Sequence, residues 1–195
     1  MDLKQRLREA LTVTTREFKR ALAQSFEPTT GVKAYPERMV SYYYIRAIAM
    51  ALSPANVFLE LPVTRGGKQD NHIDALVFNH DEVVAAEFKV GWAPSHWDAL
   101  ARDLKRLRGP IAKEIRNKFK GGPRRRPFIF LGSDCWNPEK AKVWTSGIQS
   151  GGWNLPKPML AAHDRDYLRV YPDKGKGYDG YYFTWALFDF DEMFA

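Results

Sequence analysis

The sequence has a single cysteine, Cys135, and four histidines in 195 residues. A lone thiol excludes an intramolecular disulfide and a zinc site built on paired cysteines, and leaves a buried structural thiol as its plain reading. No run of about 18 apolar residues occurs, which excludes an apolar membrane-spanning helix. The amino-terminal stretch "MDLKQRLREALTVTTREFKR" is charged and amphipathic, without the apolar block of a secretory signal. The expectation is a cytoplasmic protein with no membrane partner. Internal repeats, low-complexity tracts and long linkers are also missing, so residues 1–195 are expected to form one domain. Disorder is not expected either, because 45% hydrophobic and 14% aromatic residues supply enough apolar material for a packed interior.

Acidic residues are scarce in one segment. Between Lys105 and Arg126 ten Lys or Arg stand against one acid, Glu114, so this segment alone carries +9 while the whole chain carries +7. Clustered positive charge is the footprint of a polyanion partner, since each phosphate contacted releases condensed counterions. The plainer reading is a solvated helix face and a basic loop.

The coarse order of elements follows from periodicity. Leu3, Leu7, Leu11, Phe18 and Leu22 place a helix over 1–24. A second helix begins at Pro36, a favoured first-turn residue, and runs to about Leu52. "NVFLELPVT" alternates as a strand and "RGGKQ" reads as a turn, followed by two more strands in "HIDALVFNHDEVVAAEFK". Ser95 with Asp98 resembles a capping box ahead of a helix whose apolar stripe is Trp97, Leu100, Ala101, Leu104 and Leu107. Gly109 and Pro110 interrupt it, and "PFIFLGS" reads as a buried strand. Beyond residue 132, "NPEKAKVWTSGI" suits a short helix or a loop, "SGGWNLPKP" is irregular, and "DYLRVY" and "YYFTWALFDF" are strand-like. The expected class is α/β with a central mixed β-sheet flanked by helices, comprising an N-terminal helix (1–24), a core of about 36–132 and further elements over 133–195.

The hairpin carries the chemistry. With its turn centred on His80 and Asp81, residues whose numbers sum to 161 face each other, which sets Asp74 opposite Glu87. Directly opposed like charges are destabilising. Alternation puts Glu87 and Lys89 on one face, so three charged groups converge at the end of two otherwise apolar strands: Ile73, Ala75 and Val77 with Val84, Ala86 and Phe88 on one side, Leu76, Phe78, Val83 and Ala85 on the other. Lys89 as a structural counter-ion is one way to compensate the carboxylates. A divalent cation is another, because two carboxylates, a backbone carbonyl and waters make the open, hard-oxygen site that suits Mg²⁺ or Mn²⁺.

Asp74, twelve intervening residues and then Glu87-Phe88-Lys89, on a strand hairpin preceded by a helix bearing Glu37, resembles the PD-(D/E)XK nuclease superfamily with its restriction-endonuclease-like fold. The similarity covers about residues 36–107 in element order, with the strand at Phe128–Leu131 as its continuation. The resemblance implies that Asp74 and Glu87 are metal ligands, with the Phe88 main-chain carbonyl as a third, for Mg²⁺ with Mn²⁺ able to substitute. It implies that Lys89 orients or helps to activate the attacking water, and that Glu37 reaches the metal through water. A Glu just after a helix-starting Pro is also favoured by the helix dipole alone. Glu60 is a further acid whose face is ambiguous by one residue of register, and His72 reads as a polar strand-end residue. Two departures stand out: Ile73 replaces the proline of the superfamily's name, and the helix after Lys89 reads "SHWDALARDLKRL" without the glutamine of RecB-like members.

Three classes of function follow. The first is a Mg²⁺-dependent endonuclease of restriction, defence or repair type acting on DNA, its backbone contacts drawn from Arg65, Lys68, Lys105, Arg108, Lys118, Lys120, Arg124, Arg125 and Arg126. The second is a catalytically inactive nucleic-acid-binding protein on the same scaffold. The third is an unrelated α/β protein with a structural ion cluster. No feature specifies a homo-oligomer, and the many aromatics read as core rather than as base-stacking platforms.

Overall fold

A computed structural model describes residues 1–25, 37–65, 68–89, 94–112, 115, 117, 125–135, 137–150, 153–171 and 180–189. The elements are α1 (Leu3–Ser25), α2 (Glu37–Ala51), β1 (Asn56–Arg65), β2 (Lys68–Phe78), β3 (Glu82–Lys89), α3 (Pro94–Arg106), β4 (Arg126–Cys135), α4 (Pro138–Ser146), the single turn α5 (Lys157–Leu160), β5 (Asp164–Tyr171) and β6 (Tyr181–Asp189). Strand order in the one sheet is β1-β2-β3-β4-β6-β5. Only β3 and β4 run parallel, so the sheet is mixed and the molecule is α/β, with helices on both faces. No helix among the described residues is long and apolar enough to cross a membrane.

Each helix buries the stripe its sequence repeats. In α1, Leu3, Leu7, Ala10, Leu11 and Phe18 are buried, and in α2 Val40, Tyr44, Ala47 and Ile48. Both pack on one sheet face, where Ala75, Val77, Val84, Ala86, Phe88, Phe128 and Phe130 meet them. The other face presents Leu76, Val83, Ala85, Ile129 and Leu131 to Trp97, Leu100 and Leu104 of α3 and to Val143 and Trp144 of α4. The expectation of two apolar faces on central strands therefore holds, and Cys135 is a buried thiol.

Local chemistry sets the boundaries. Helix α3 starts at Pro94, so Ser95 lies within its first turn instead of capping it; a proline with its φ already fixed near the helical value serves as a first residue. A π turn over Leu107–Ile111 follows α3, with Gly109 outside helical geometry (φ −96°, ψ −111°), as the Gly109-Pro110 pair leads one to expect. The ambiguous "NPEKAKVWTSGI" contains helix α4, because Asn137 accepts from the Glu139 and Lys140 amides (2.7 and 3.2 Å) and Gly147, at φ 73°, ends it.

Two contacts fix α2 over the carboxyl ends of β3 and β4. The buried Tyr44 hydroxyl donates to the Ser133 carbonyl at 2.5 Å. Its ring stacks on Phe88, with centroids 5.6 Å apart. Gly132 permits this approach: a Cβ there would stand 2.8 Å from Phe88 Cδ1 and 3.0 Å from Tyr44 Cδ2.

Candidate functional site

The hairpin forms in the register its turn dictates. Asn79 Oδ1 accepts from the amides of Asp81 and Glu82 at 2.9 and 2.8 Å and closes the turn. Ala75 pairs with Ala86, Leu76 with Ala85, Val77 with Val84 and Phe78 with Val83, all summing to 161. The ladder ends there, one pair short of Asp74 and Glu87. Asp74 instead turns its own carboxylate into the ladder's place, Oδ2 accepting the Phe88 amide at 2.8 Å. The strands thus part where the two acids meet.

Strand alternation also breaks at this point. Leu59 lines a cavity beside α2, whereas Leu61 packs on the α3 side, although both are odd-numbered residues of β1. Ile73 likewise belongs to the α3-side core, which corrects the expectation that it shares a face with Ala75 and Val77. Between the two stretches lies Glu60, at φ 49°, the only non-glycine residue with a positive φ among those described. A left-handed residue rotates the strand about its axis, and both β1 and its partner β2 turn over together while the pairing keeps its register. Asp74 and Glu60 consequently line the same cavity of about 580 Å³, with Arg38, Ser41 and Tyr42 of α2 and Phe88. Backbone strain of this kind clusters at functional sites.

Glu87 is 1% exposed. Burial and the neighbouring Asp74 push its carboxyl up to about 9, outweighing the opposing pull of Arg106. Arg106, the last residue of α3, ion-pairs with Glu87, and its guanidinium also donates to the His72 carbonyl at 3.1 Å and lies 3.3 Å from Asp103. Lys89 Nζ is 3.9 Å from Asp103. Asp103 is itself raised by burial, with Arg106 and Lys89 pulling the other way. The expected triad is therefore a group of five side chains, and Lys89 is not the sole cation opposing the acids. Sequence reasoning counted Arg106 only as one more basic residue and passed over Asp103. The available signal was their i, i+3 spacing beside the apolar stripe of α3.

The remaining expected residues fall into three places. Glu37 is the first residue of α2, one position before the cavity-lining Arg38; its side chain, and those of Arg65 and Lys68, are not among the described ones. Lys118, Lys120 and Arg124 lie outside the described residues. Lys105 and Arg108 line a second cavity of about 500 Å³ on α3 with Arg102 and Pro158. Arg108 is partly committed there, its guanidinium 5.2 Å over the Phe188 ring and its charge disfavoured by burial.

Arg125 and Arg126 sit elsewhere. Arg126 faces Glu82 at the start of β3, five residues from Glu87, which at strand rise is about 17 Å along the strand. Both are engaged structurally: Arg125 donates to the Asn79 carbonyl at 2.6 Å, and Arg126 pairs with buried Asp189. The one basic segment of the sequence thus runs from Arg106 beside Glu87, through Arg108 over Phe188, to Arg126 on the adjacent Asp189.

Two carboxylates and a main-chain carbonyl at a parted strand end fit a hard divalent cation that keeps several waters. Among the described residues no three His, Cys, Asp or Glu side chains converge to complete a closed cage. Comparison of the chain with family models, with curated proteins and with solved structures gives no match.

Proposed function

We propose that this protein is a metal-dependent nuclease of the PD-(D/E)XK kind that hydrolyses phosphodiester bonds in DNA. The observation that carries the reading is Glu87: an acid 1% exposed beside a second acid, Asp74, which itself lines the cavity next to α2. A buried pair of acids calls for positive charge beside it, supplied in the metal-free protein by Arg106. The order α2-β1-β2-β3-α3-β4 also accords with the resemblance read from the sequence.

Asp74, Glu87 and the Phe88 main-chain carbonyl would hold Mg²⁺, or Mn²⁺ in its place. Such an ion supplies Lewis acidity and lowers the pKa of water. Lys89, two residues beyond Glu87 and half-buried, is placed to orient the attacking water and to offset charge that develops on the phosphate. The tight packing of Phe88 between Tyr44 and Gly132 fixes the backbone from which Glu87 and Lys89 both project. Arg102 and Lys105 on the open side of α3 would contact the sugar-phosphate backbone, positioning the substrate without reading its sequence.

The test is incubation of purified protein with supercoiled, linear, single-stranded and branched DNA, with RNA as a control, with and without Mg²⁺ or Mn²⁺. Cleavage that requires the ion and disappears in Glu87→Gln is expected. Salt-sensitive DNA binding without cleavage would replace this reading with that of a binding protein on the same scaffold.

A further inference from the structure

The charged group holds a cation of its own. Asp74, Glu87 and Asp103 supply three carboxylates, and Lys89 and Arg106 two cations. Arg106 is the one in direct contact with Glu87, the deepest acid of the set. Its Nη2 lies against Glu87, Asp103 and the His72 carbonyl together, so one charged nitrogen serves two acids and a main-chain oxygen. Like charges repel strongly where water is excluded. A divalent ion and a guanidinium therefore compete for the same carboxylate.

We propose that Arg106 is the resident counter-ion of Glu87, occupying the side of the carboxylate that a divalent ion takes, so that the ion must displace it. The inference rests on the metal-dependent reading above. Asp103 lies three residues earlier on the same helix and keeps the guanidinium tethered once it leaves Glu87. Free of the ion, the site is held together by an internal salt bridge; with the ion bound, Arg106 is released toward the open end of the hairpin, where a phosphate would arrive. Arg106 is a positioning residue in the first state and an anion-binding residue in the second.

The experiment is calorimetric titration of MnCl₂ into nucleic-acid-free wild type, Arg106→Gln and Arg106→Lys, with melting temperatures measured in parallel. Arg106→Gln should bind Mn²⁺ about tenfold more tightly than wild type, with a larger ion-induced rise in melting temperature because its metal-free form has lost the pair. Arg106→Lys, which keeps the charge on a shorter side chain, should fall between them and carries the test should the glutamine variant not fold. Wild-type binding with no gain in affinity in either variant overturns this proposal and leaves the metal reading standing. Absence of Mn²⁺ binding in all three overturns both.

Discussion

Lys140→Met is expected to stabilise the protein at neutral pH and to lose that advantage in alkali. Lys140 is 2% exposed on α4, and its Nζ makes no hydrogen bond within the described structure. It sits 4.0 Å from the Trp153 ring centroid and 5.4 Å from that of Trp97, so its charge is met by two aromatic faces. Burial lowers its pKa from 10.5 to about 8, only partly opposed by Cys135 and Asp134. That drop corresponds to a cost of about 3 kcal/mol for holding the charge in the fold. The rings return roughly 2 kcal/mol as cation–π attraction in a desolvated site. Methionine keeps the length and the apolar contacts, leaving a net gain of about 1 kcal/mol, or about 2–4 °C in melting temperature for a chain of this size. The pH dependence has a definite sign. While the lysine is charged in both states the cost is complete; as pH rises toward 10.5 the folded protein sheds the proton before the unfolded one does, so wild-type stability rises toward that of the variant. The assay is thermal unfolding of both proteins from pH 6 to 10.5. A variant less stable than wild type at pH 7, or a difference that does not shrink with rising pH, would refute the reasoning.

Four other outcomes are expected. Asp74→Asn removes one of two adjacent carboxylates while its Oδ1 can still accept the Phe88 amide, so the metal-free protein should melt higher and cleavage should vanish; a lower melting point would show the pair to be structurally required. Gly132→Ala drives a methyl into Phe88 and Tyr44, and should cost about 1–3 kcal/mol by chemical denaturation and lower cleavage; an unchanged midpoint would mean the packing at the site is slack. Replacing both Arg102 and Lys105 with Ala should reduce the log–log salt slope of DNA binding by about 2, one unit per phosphate contact, whereas equal slopes would remove α3 from the interface. Arg126→Ala should leave that slope unaltered yet destabilise the fold, since the 2% exposed Asp189 loses this ion pair; a changed slope would return that end of the sheet to the interface.

Local periodicity and turn chemistry were enough to place α1, α2, α3, the strands and the hairpin register, but left α4 open between helix and loop and did not find the single turn α5. The turn at Asn79–Glu82 counts residues outward in both directions, so the approach of Asp74 to Glu87 was settled within the stretch that joins them. The same holds for α1 and α2, whose apolar repeats match the faces they bury. Tertiary structure decided what surrounds that pair. Arg106 and Asp103 reach Glu87 only because α3 folds back across β3, a contact that no spacing within the hairpin encodes. Lys140 and Lys142 are two residues apart on one short helix, and packing alone buries the first and exposes the second. The basic run from Lys105 to Arg126 is continuous in sequence, but the crossover from α3 to β4 carries its two ends to different regions of the sheet. At Glu60, a single left-handed residue reverses the faces that alternation assigns to Leu61 and Ile73, because strand period is a local rule and the twist that overrides it is set by both strands together.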